Sequence, residues 1–260
     1  MHSQLIPGLP IQSFGLCIAL GVLLSWRVLQ WIYKKEDMSN LLFLLVFAGL
    51  IGARMTHVIE FWQEDGYGRN FLAVFEIWKG GLVFYGGLVA GAVAFFAWCR
   101  FNRRSIAEVF DAVAVVVPLA HAFGRVGCFL HGCCWGKVSD SSLAVTFPAY
   151  SPAWMAHRLS DYASRSLPVL PVQLFEATLL LFLFGALLFL YRRLGRYTAA
   201  AYLIGYSFIR FFTEYLRDDV RPEIFGLSSA QNFSMVMFAF GAILLTWSYF
   251  GNEKSACHNR

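Results

Sequence analysis

Long apolar runs separated by short polar connections dominate the chain. Against the roughly 20 residues an α-helix needs to cross a bilayer, seven runs are candidates: Gln12–Tyr33, Asn40–Phe61, Leu82–Trp98, Phe110–Leu130, Val172–Tyr191, Ala199–Leu216 and Phe233–Phe250. The third is short and rich in glycine, and the sixth carries charge. Between the fourth and fifth lies a long connection, 131–171, whose Trp135, Gly136, Pro148, Tyr150, Pro152 and Trp154 suit a small extracytoplasmic cap better than another span. The pattern predicts an all-α polytopic membrane helix bundle of about seven transmembrane helices, a single integral membrane domain over 1–260 with 131–171 as its cap. No basic leader or small-residue cleavage site precedes the first run, so that helix is expected to be retained.

Composition agrees with this pattern. Hydrophobic residues make up 58% of the chain and charged residues 14%, with a mean hydropathy of +0.57. A soluble domain is nearer half apolar and a quarter charged, so the excess points to lipid. The net charge of +5 calls for no nucleic-acid partner, because basic residues collected on one face of a membrane give the same total. They do collect. Lys34 and Lys35 follow the first run, Arg100, Arg103 and Arg104 the third, and Arg192, Arg193 and Arg196 the fifth. The alternate connections mix basic residues with Glu64, Asp65, Asp140, Asp161, Asp218, Asp219 and Glu223. The positive-inside rule then puts the N-terminus outside and the C-terminus in the cytoplasm.

Ionisable residues within spans are expensive, and they mark function or pairing. Arg54, Arg125 and Arg210 each fall in the later part of an outward-running span, and Glu176 near the start of an inward-running one. All four are expected in the outer half of the bilayer. His57 and His121 also lie within spans, as does Arg27, which is close enough to an end to snorkel. Guanidinium stays charged and offers a planar fork of donors for phosphate or carboxylate. Glu176 and Glu214 are the evident counter-charges, so an anionic headgroup would complete the balance. Arginine–glutamate pairs that only staple helices together are the alternative. Tyr206, Arg210, Glu214 and Arg217 follow steps of four, four and three and share one helical face. That face reads as a cavity wall or a polar seam.

Two glycine-rich segments add candidates. Gly80 to Leu88 opens the third span, with Tyr85 beside Gly86 and Gly87. Paired glycines allow close approach of a ligand or of a neighbouring helix. The second segment runs from Gly124 through Arg125, Gly127, Cys128, His131, Gly132, Cys133, Cys134 and Gly136 to Lys137, and its backbone could offer N–H groups to phosphate. Zinc sites usually join two separated ligand couples, whereas Cys128, His131, Cys133 and Cys134 form one crowded cluster. No metal is assigned on this pattern. A disulfide on the oxidising side stays open, although vicinal pairing of Cys133 with Cys134 would be strained.

Several of these pieces resemble the prolipoprotein diacylglyceryl transferase family, in family order and over nearly the whole length. They are Gly52-Ala53-Arg54, Gly81 to Leu88, Gly124-Arg125-Val126-Gly127 followed by Phe129, Gly132 and Gly136, and Pro171-Val172-Gln173-Leu174-Phe175-Glu176. Tyr206, Arg210, Phe211, Glu214 and Arg217, then Gly226-Leu227-Ser228 and Gln231, complete the set. The chain departs from the family where Tyr85 replaces a usual histidine, Cys128 a common asparagine and Cys133 a common glutamate.

The resemblance implies an enzyme of the bacterial cytoplasmic (inner) membrane that acts on phosphatidylglycerol and on the signal peptides of exported prolipoproteins, among membrane lipids. It needs no cofactor. A thiol would attack the glycerol carbon that bears the phosphate. It also implies Arg125, Arg210 and Tyr85 as catalytic candidates, with His131 or His121 as other possible bases. Arg54, Gly86, Gly87, Gly124, Gly127, Cys128, His131, Gly132, Gly136, Gln173, Glu176, Tyr206, Glu214 and Arg217 are implied as substrate-binding. A phospholipid-binding or paralogous protein of the same fold, with another acceptor or no transfer, is the rival reading. A thiol-redox or metal-binding protein is a second rival.

Overall fold

The computed structural model describes residues 13–34, 37–77, 80–158, 160, 162–218, 223–224 and 226–258. Lys35, Asp161 and Asp219, used above for orientation, lie outside them. The chain is built from helices α1 (Ser13–Ile32), α2 (Ser39–Glu60), α3 (Phe84–Phe101), α4 (Ile106–His131), α5 (Pro152–His157), α6 (Val172–Leu194), α7 (Thr198–Glu214) and α8 (Ser229–His258). Among the described residues, six are long and apolar enough to cross a membrane: α1, α2, α3, α4, α6 and α8. The remaining expected span is α7, which has 17 residues. At 1.5 Å per residue it is about 25 Å long, short of a hydrocarbon core of about 30 Å.

The chain divides into two packed units, residues 33–109 and residues 1–32 with 110–260. In the first, α2 and α3 pack on each other through small residues. A Cβ added at Gly86 would land on the Thr56 side chain and 2.6 Å from the Gly52 carbonyl oxygen, and one at Gly87 would lie 2.9 Å from the Gly49 carbonyl oxygen. Phe43, Phe47, Ile51, Met55 and Ile59 recur every four residues and are exposed, which is the lipid-facing stripe of α2. The connection to α3 holds a 3-10 turn, Phe71–Phe75, and two left-handed glycines, Gly80 (φ 93°) and Gly81 (φ 74°).

In the second unit α4 is the most buried span, 44% of its apolar window against 22% for α1, α6 and α8. Gly21 of α1 approaches it so closely that a Cβ would meet Phe123 Cβ at 2.8 Å. Helix α6 ends on Gly195 in the left-handed conformation (φ 64°), and α7 turns back from there. The N-terminus of α7 is held by Asp111 of α4, whose carboxylate accepts from the Ala199 N–H (2.7 Å) and the Thr198 hydroxyl (3.1 Å). A carboxylate at a helix N-terminus meets orphan N–H groups and the positive end of the dipole.

The segment after α4 folds as a small cap with its own core of Phe147, Ala153 and Val169, against which Phe129, Trp135 and Val145 pack. Isolated bridges Val138–Val169, Val145–Val169 and Pro148–Arg165 tie it together. Ser151 caps α5, its hydroxyl accepting from the Trp154 N–H. The bridge Gly136–Arg217 fastens the cap to the end of α7.

Candidate functional site

Three helices of the second unit contribute to one buried ionic cluster. Glu176, fully buried near the start of α6, lies 2.8 Å from the Arg125 guanidinium of α4 and 3.9 Å from that of Arg210 on α7. Arg210 pairs with Glu214 one turn on, at 2.6 Å, and Glu214 also meets Arg217 at 3.8 Å. The Ser228 hydroxyl donates to the other oxygen of Glu214 (2.8 Å). Tyr206 is one turn before Arg210, with the His121 ring 5.2 Å from its own, and it feels the Arg125 charge. The periodicity of α7 therefore builds a polar wall, and α4 and α6 face it.

Among the described residues of this cluster, positive groups outnumber negative ones. Three guanidiniums, of Arg125, Arg210 and Arg217, meet the two carboxylates of Glu176 and Glu214. The buried Arg125 Nε and Arg210 Nη1 make no hydrogen bond among the described residues. Donors of this kind, deep in an apolar protein, are strong sites for an anion.

The glycines of the second segment fall into two kinds. Gly124 and Gly127, expected within the fourth span and as backbone donors to phosphate, lie inside α4, where their N–H groups serve the helix. A Cβ at Gly127 would meet Phe14 Cδ2 at 3.0 Å and Cys17 Cβ at 3.2 Å, so this glycine lets α1 approach. Gly132 (φ 81°) turns the chain out of the helix. Gly136 sits where three strands of chain cross, and a Cβ there would be 2.7 Å from the Leu170 carbonyl oxygen and 2.8 Å from that of Leu216. Gln173, fully buried, donates to the Cys133 carbonyl at 2.7 Å and anchors this turn to α6.

Cys128, Cys133 and Cys134 are free thiols whose sulfurs lie within 4.8 Å of one another. His131, the last residue of α4, is not part of that group. Hydrogen bonds from the Cys128 and Cys133 thiols, helped by the nearby Arg217 charge, hold the Cys134 thiol below the ordinary thiol range. The Cys133 thiol donates to the Cys128 carbonyl oxygen (3.7 Å), and its sulfur neighbours push it up.

The unit of residues 33–109 carries the other candidates. Arg54 donates to the carbonyls of Ala73 (2.6 Å), Val74 (2.8 Å), Gly80 (2.9 Å) and Gly81 (3.1 Å), so four of its five donors hold the connection to α3. Gly86 and Gly87 serve the α2–α3 contact, and Tyr85 is half-exposed in the first turn of α3. A cavity of about 460 Å³ opens beside Arg54, lined in part by His57, Asp65, Tyr67 and Glu76. In it the Tyr67 hydroxyl donates to Asp65 (3.0 Å) and lies 3.3 Å from His57 Nδ1.

Sequence reasoning named His57 as an intramembrane charge and Ser228 as part of the resemblance, but gave Tyr67 no role and passed over Asp111. Asp111 had a signal, a carboxylate early in an apolar run. Tyr67 had none, because its role depends on contacts made within a loop.

The fold and this cluster define a multi-pass helical membrane protein with an arginine-rich buried site. The model of the prolipoprotein diacylglyceryl transferase family matches residues 2–247, and the chain belongs to that family. It is 32% identical over 247 residues to phosphatidylglycerol–prolipoprotein diacylglyceryl transferase 2 of Clostridium perfringens (strain 13 / Type A), covering 92% of this chain and 91% of that one. The corresponding transferase of Methylibium petroleiphilum is 35% identical, covering 91% and 88%. That of Photobacterium profundum is 31% identical, covering 95% and 92%.

Proposed function

We propose that this protein transfers the diacylglyceryl group of phosphatidylglycerol to the cysteine thiol of exported prolipoproteins at the outer side of the bacterial cytoplasmic membrane. The sulfur attacks the glycerol carbon bonded to the phosphate ester. The carbon–oxygen bond breaks with its electron pair going to phosphate, and the thiol proton is lost, giving a thioether and glycerol phosphate. Such a reaction needs stabilisation of the departing phosphate and a thiolate nucleophile. The unbalanced arginine cluster supports this reading most directly. Arg125 Nε and Arg210 Nη1 make no hydrogen bond among the described residues, although Arg210 Nη1 lies 3.9 Å from Glu176 Oε2, and phosphate oxygens would satisfy both. In this reading Arg125 and Arg210 grip the phosphate, Glu176 and Glu214 fix their rotamers, Arg217 and Tyr206 orient the headgroup, and Arg54 shapes the neighbouring connection. Tyr85, His121 and His131 are the residues to compare as proton acceptors.

The test is transfer from labelled phosphatidylglycerol to a lipobox peptide by purified protein. Wild type is expected to transfer, and Arg125→Ala and Arg210→Ala each to lose about 100-fold or more in rate, the scale of a lost transition-state donor. Full activity in either variant removes that residue from its role. Phosphatidylglycerol binding without transfer by wild type would favour a lipid-binding protein.

A further inference from the structure

The thiols of Cys128, Cys133 and Cys134 form a cluster that the phosphate-gripping arginines do not use. Their sulfurs are half-buried and lie within 4.8 Å of one another. Three sulfurs each about 2.3 Å from one ion sit about 4 Å apart, so closing on an ion asks any pair to approach by less than about 1 Å. The backbone already fixes this arrangement. The Cys128 carbonyl accepts from the N–H groups of both Gly132 (2.9 Å) and Cys133 (3.1 Å), and Gln173 holds the Cys133 carbonyl from α6. Gly132 and Cys134 (φ 64°) are both left-handed, which folds the turn back toward the helix end. For cysteine that conformation costs about 1 kcal/mol or more, so the second thiol of the pair is placed there against backbone preference.

A structural zinc site wants four protein ligands, usually as two separated couples, and the crowding of Cys128, His131, Cys133 and Cys134 argued against one. A catalytic site keeps three and leaves the fourth position open. We propose that Cys128, Cys133 and Cys134 bind one thiophilic d10 cation, Zn²⁺ foremost and Cu⁺ as the other candidate, whose open position takes the thiol of the acceptor peptide. The second half of this inference rests on the transferase reading above. Thiolate donors select such ions over Mg²⁺ or Ca²⁺, which take oxygen. A metal-bound thiol is deprotonated outright, so this would supply a nucleophile in a chain whose span-3 motif carries Tyr85 where a histidine is usual. The acceptor thiol binds and releases its proton to water. Its metal-held sulfur attacks the glycerol carbon, the pair of the breaking carbon–oxygen bond goes to phosphate, and the uncharged thioether, a weaker ligand, leaves. Four thiolates around Zn²⁺ carry two negative charges, and Arg217 is within hydrogen-bonding reach of the Cys134 sulfur to offset them.

The test begins with metal alone. Reduced, metal-free wild type in detergent is titrated with Zn²⁺ and, in a separate arm, with Cu⁺, each against a competing chelator. One ion per chain is expected. Cys128→Ser, Cys133→Ser and Cys134→Ser should each weaken binding by about tenfold or more, and Cys99→Ser should leave it unchanged. To separate ligation from misfolding of a variant, Co²⁺ is also added to wild type, where a thiolate-to-cobalt charge-transfer band should appear and shift when lipobox peptide is added. Stripping the metal should lower transfer at least about tenfold, restored by the ion that binds. The proposal is overturned by failure of reduced wild type to bind either ion, by undiminished binding in the triple serine variant, or by full transfer in the metal-free protein. Stoichiometric binding with no transfer in either state would instead overturn the transferase reading, and with it the acceptor role of the open position.

Discussion

Glu176 is the residue on which two arginines from different helices depend. It is fully buried and serves Arg125 at 2.8 Å while lying 3.9 Å from Arg210. Glutamine keeps its size and removes its charge, which leaves the guanidiniums with Glu214 as their remaining carboxylate in the cluster. Breaking a buried pair in this way destabilises by about 3 kcal/mol. Glu176→Gln should therefore melt at lower temperature in detergent, and phosphatidylglycerol should recover part of the loss by supplying the missing negative charge. An equal melting shift without lipid dependence would mean that Glu176 only staples helices. Arg54 behaves differently. Its four carbonyl bonds need a planar fork, which lysine lacks. Arg54→Lys should destabilise by about 2 kcal/mol, judged from two or more charged hydrogen bonds lost, again read by thermal melting. The sequence made Arg54, Arg125 and Arg210 look alike. What separates them is whether carbonyls or carboxylates meet the guanidinium, and spacing along the chain does not encode that.

At the scale of elements, the same residue type has opposite meanings on one helix. Gly86 of α3 faces α2, where an added Cβ would strike Thr56 and the Gly52 carbonyl. Gly91, five residues on, has nothing within 4 Å of such a Cβ. Gly86→Ala should cost about 1–3 kcal/mol by overpacking. Gly91→Ala should be neutral or stabilise by up to about 1 kcal/mol through helix propensity. Melting both variants side by side checks the α2–α3 contact, and equal behaviour would refute it. The paired glycines at 86–87 were legible as a place of close approach, with ligand and helix both open as partners. The partner became visible only through the facing Gly49, Gly52, Ala53 and Thr56. The run 124–130 was legible as the end of the fourth span, but its glycines also suggested backbone donors for phosphate, and inside α4 their N–H groups serve the helix.

For the molecule as a whole, the count of crossings decides the sidedness of the termini. Six helices satisfy length and apolarity among the described residues, and α7 does not. An even number of crossings puts both termini on one side, and an odd number separates them. What keeps α7 from reading as a span is its length of 17 residues, and its Arg210 and Glu214 are two of the five charged groups of the buried ionic cluster. A polar stripe is tolerated at membrane depth when it faces protein rather than lipid, and Arg210, Glu214 and Ser207 are buried while Phe208 and Phe212 of the same helix are exposed. We propose that α7 is a crossing whose polarity is turned inward. By the positive-inside rule the basic connections after α1, α3 and α6 put the start of α7 in the cytoplasm, and a crossing by α7 would return the chain to the outer face before α8. A green fluorescent protein fused after Arg260 should then fluoresce in the cytoplasm, and a tag placed before Met1 should react with an impermeant reagent in intact cells whose outer barrier has been opened. Termini found on the same side would leave six crossings, and would put the Arg210–Glu214 wall on a helix that does not span.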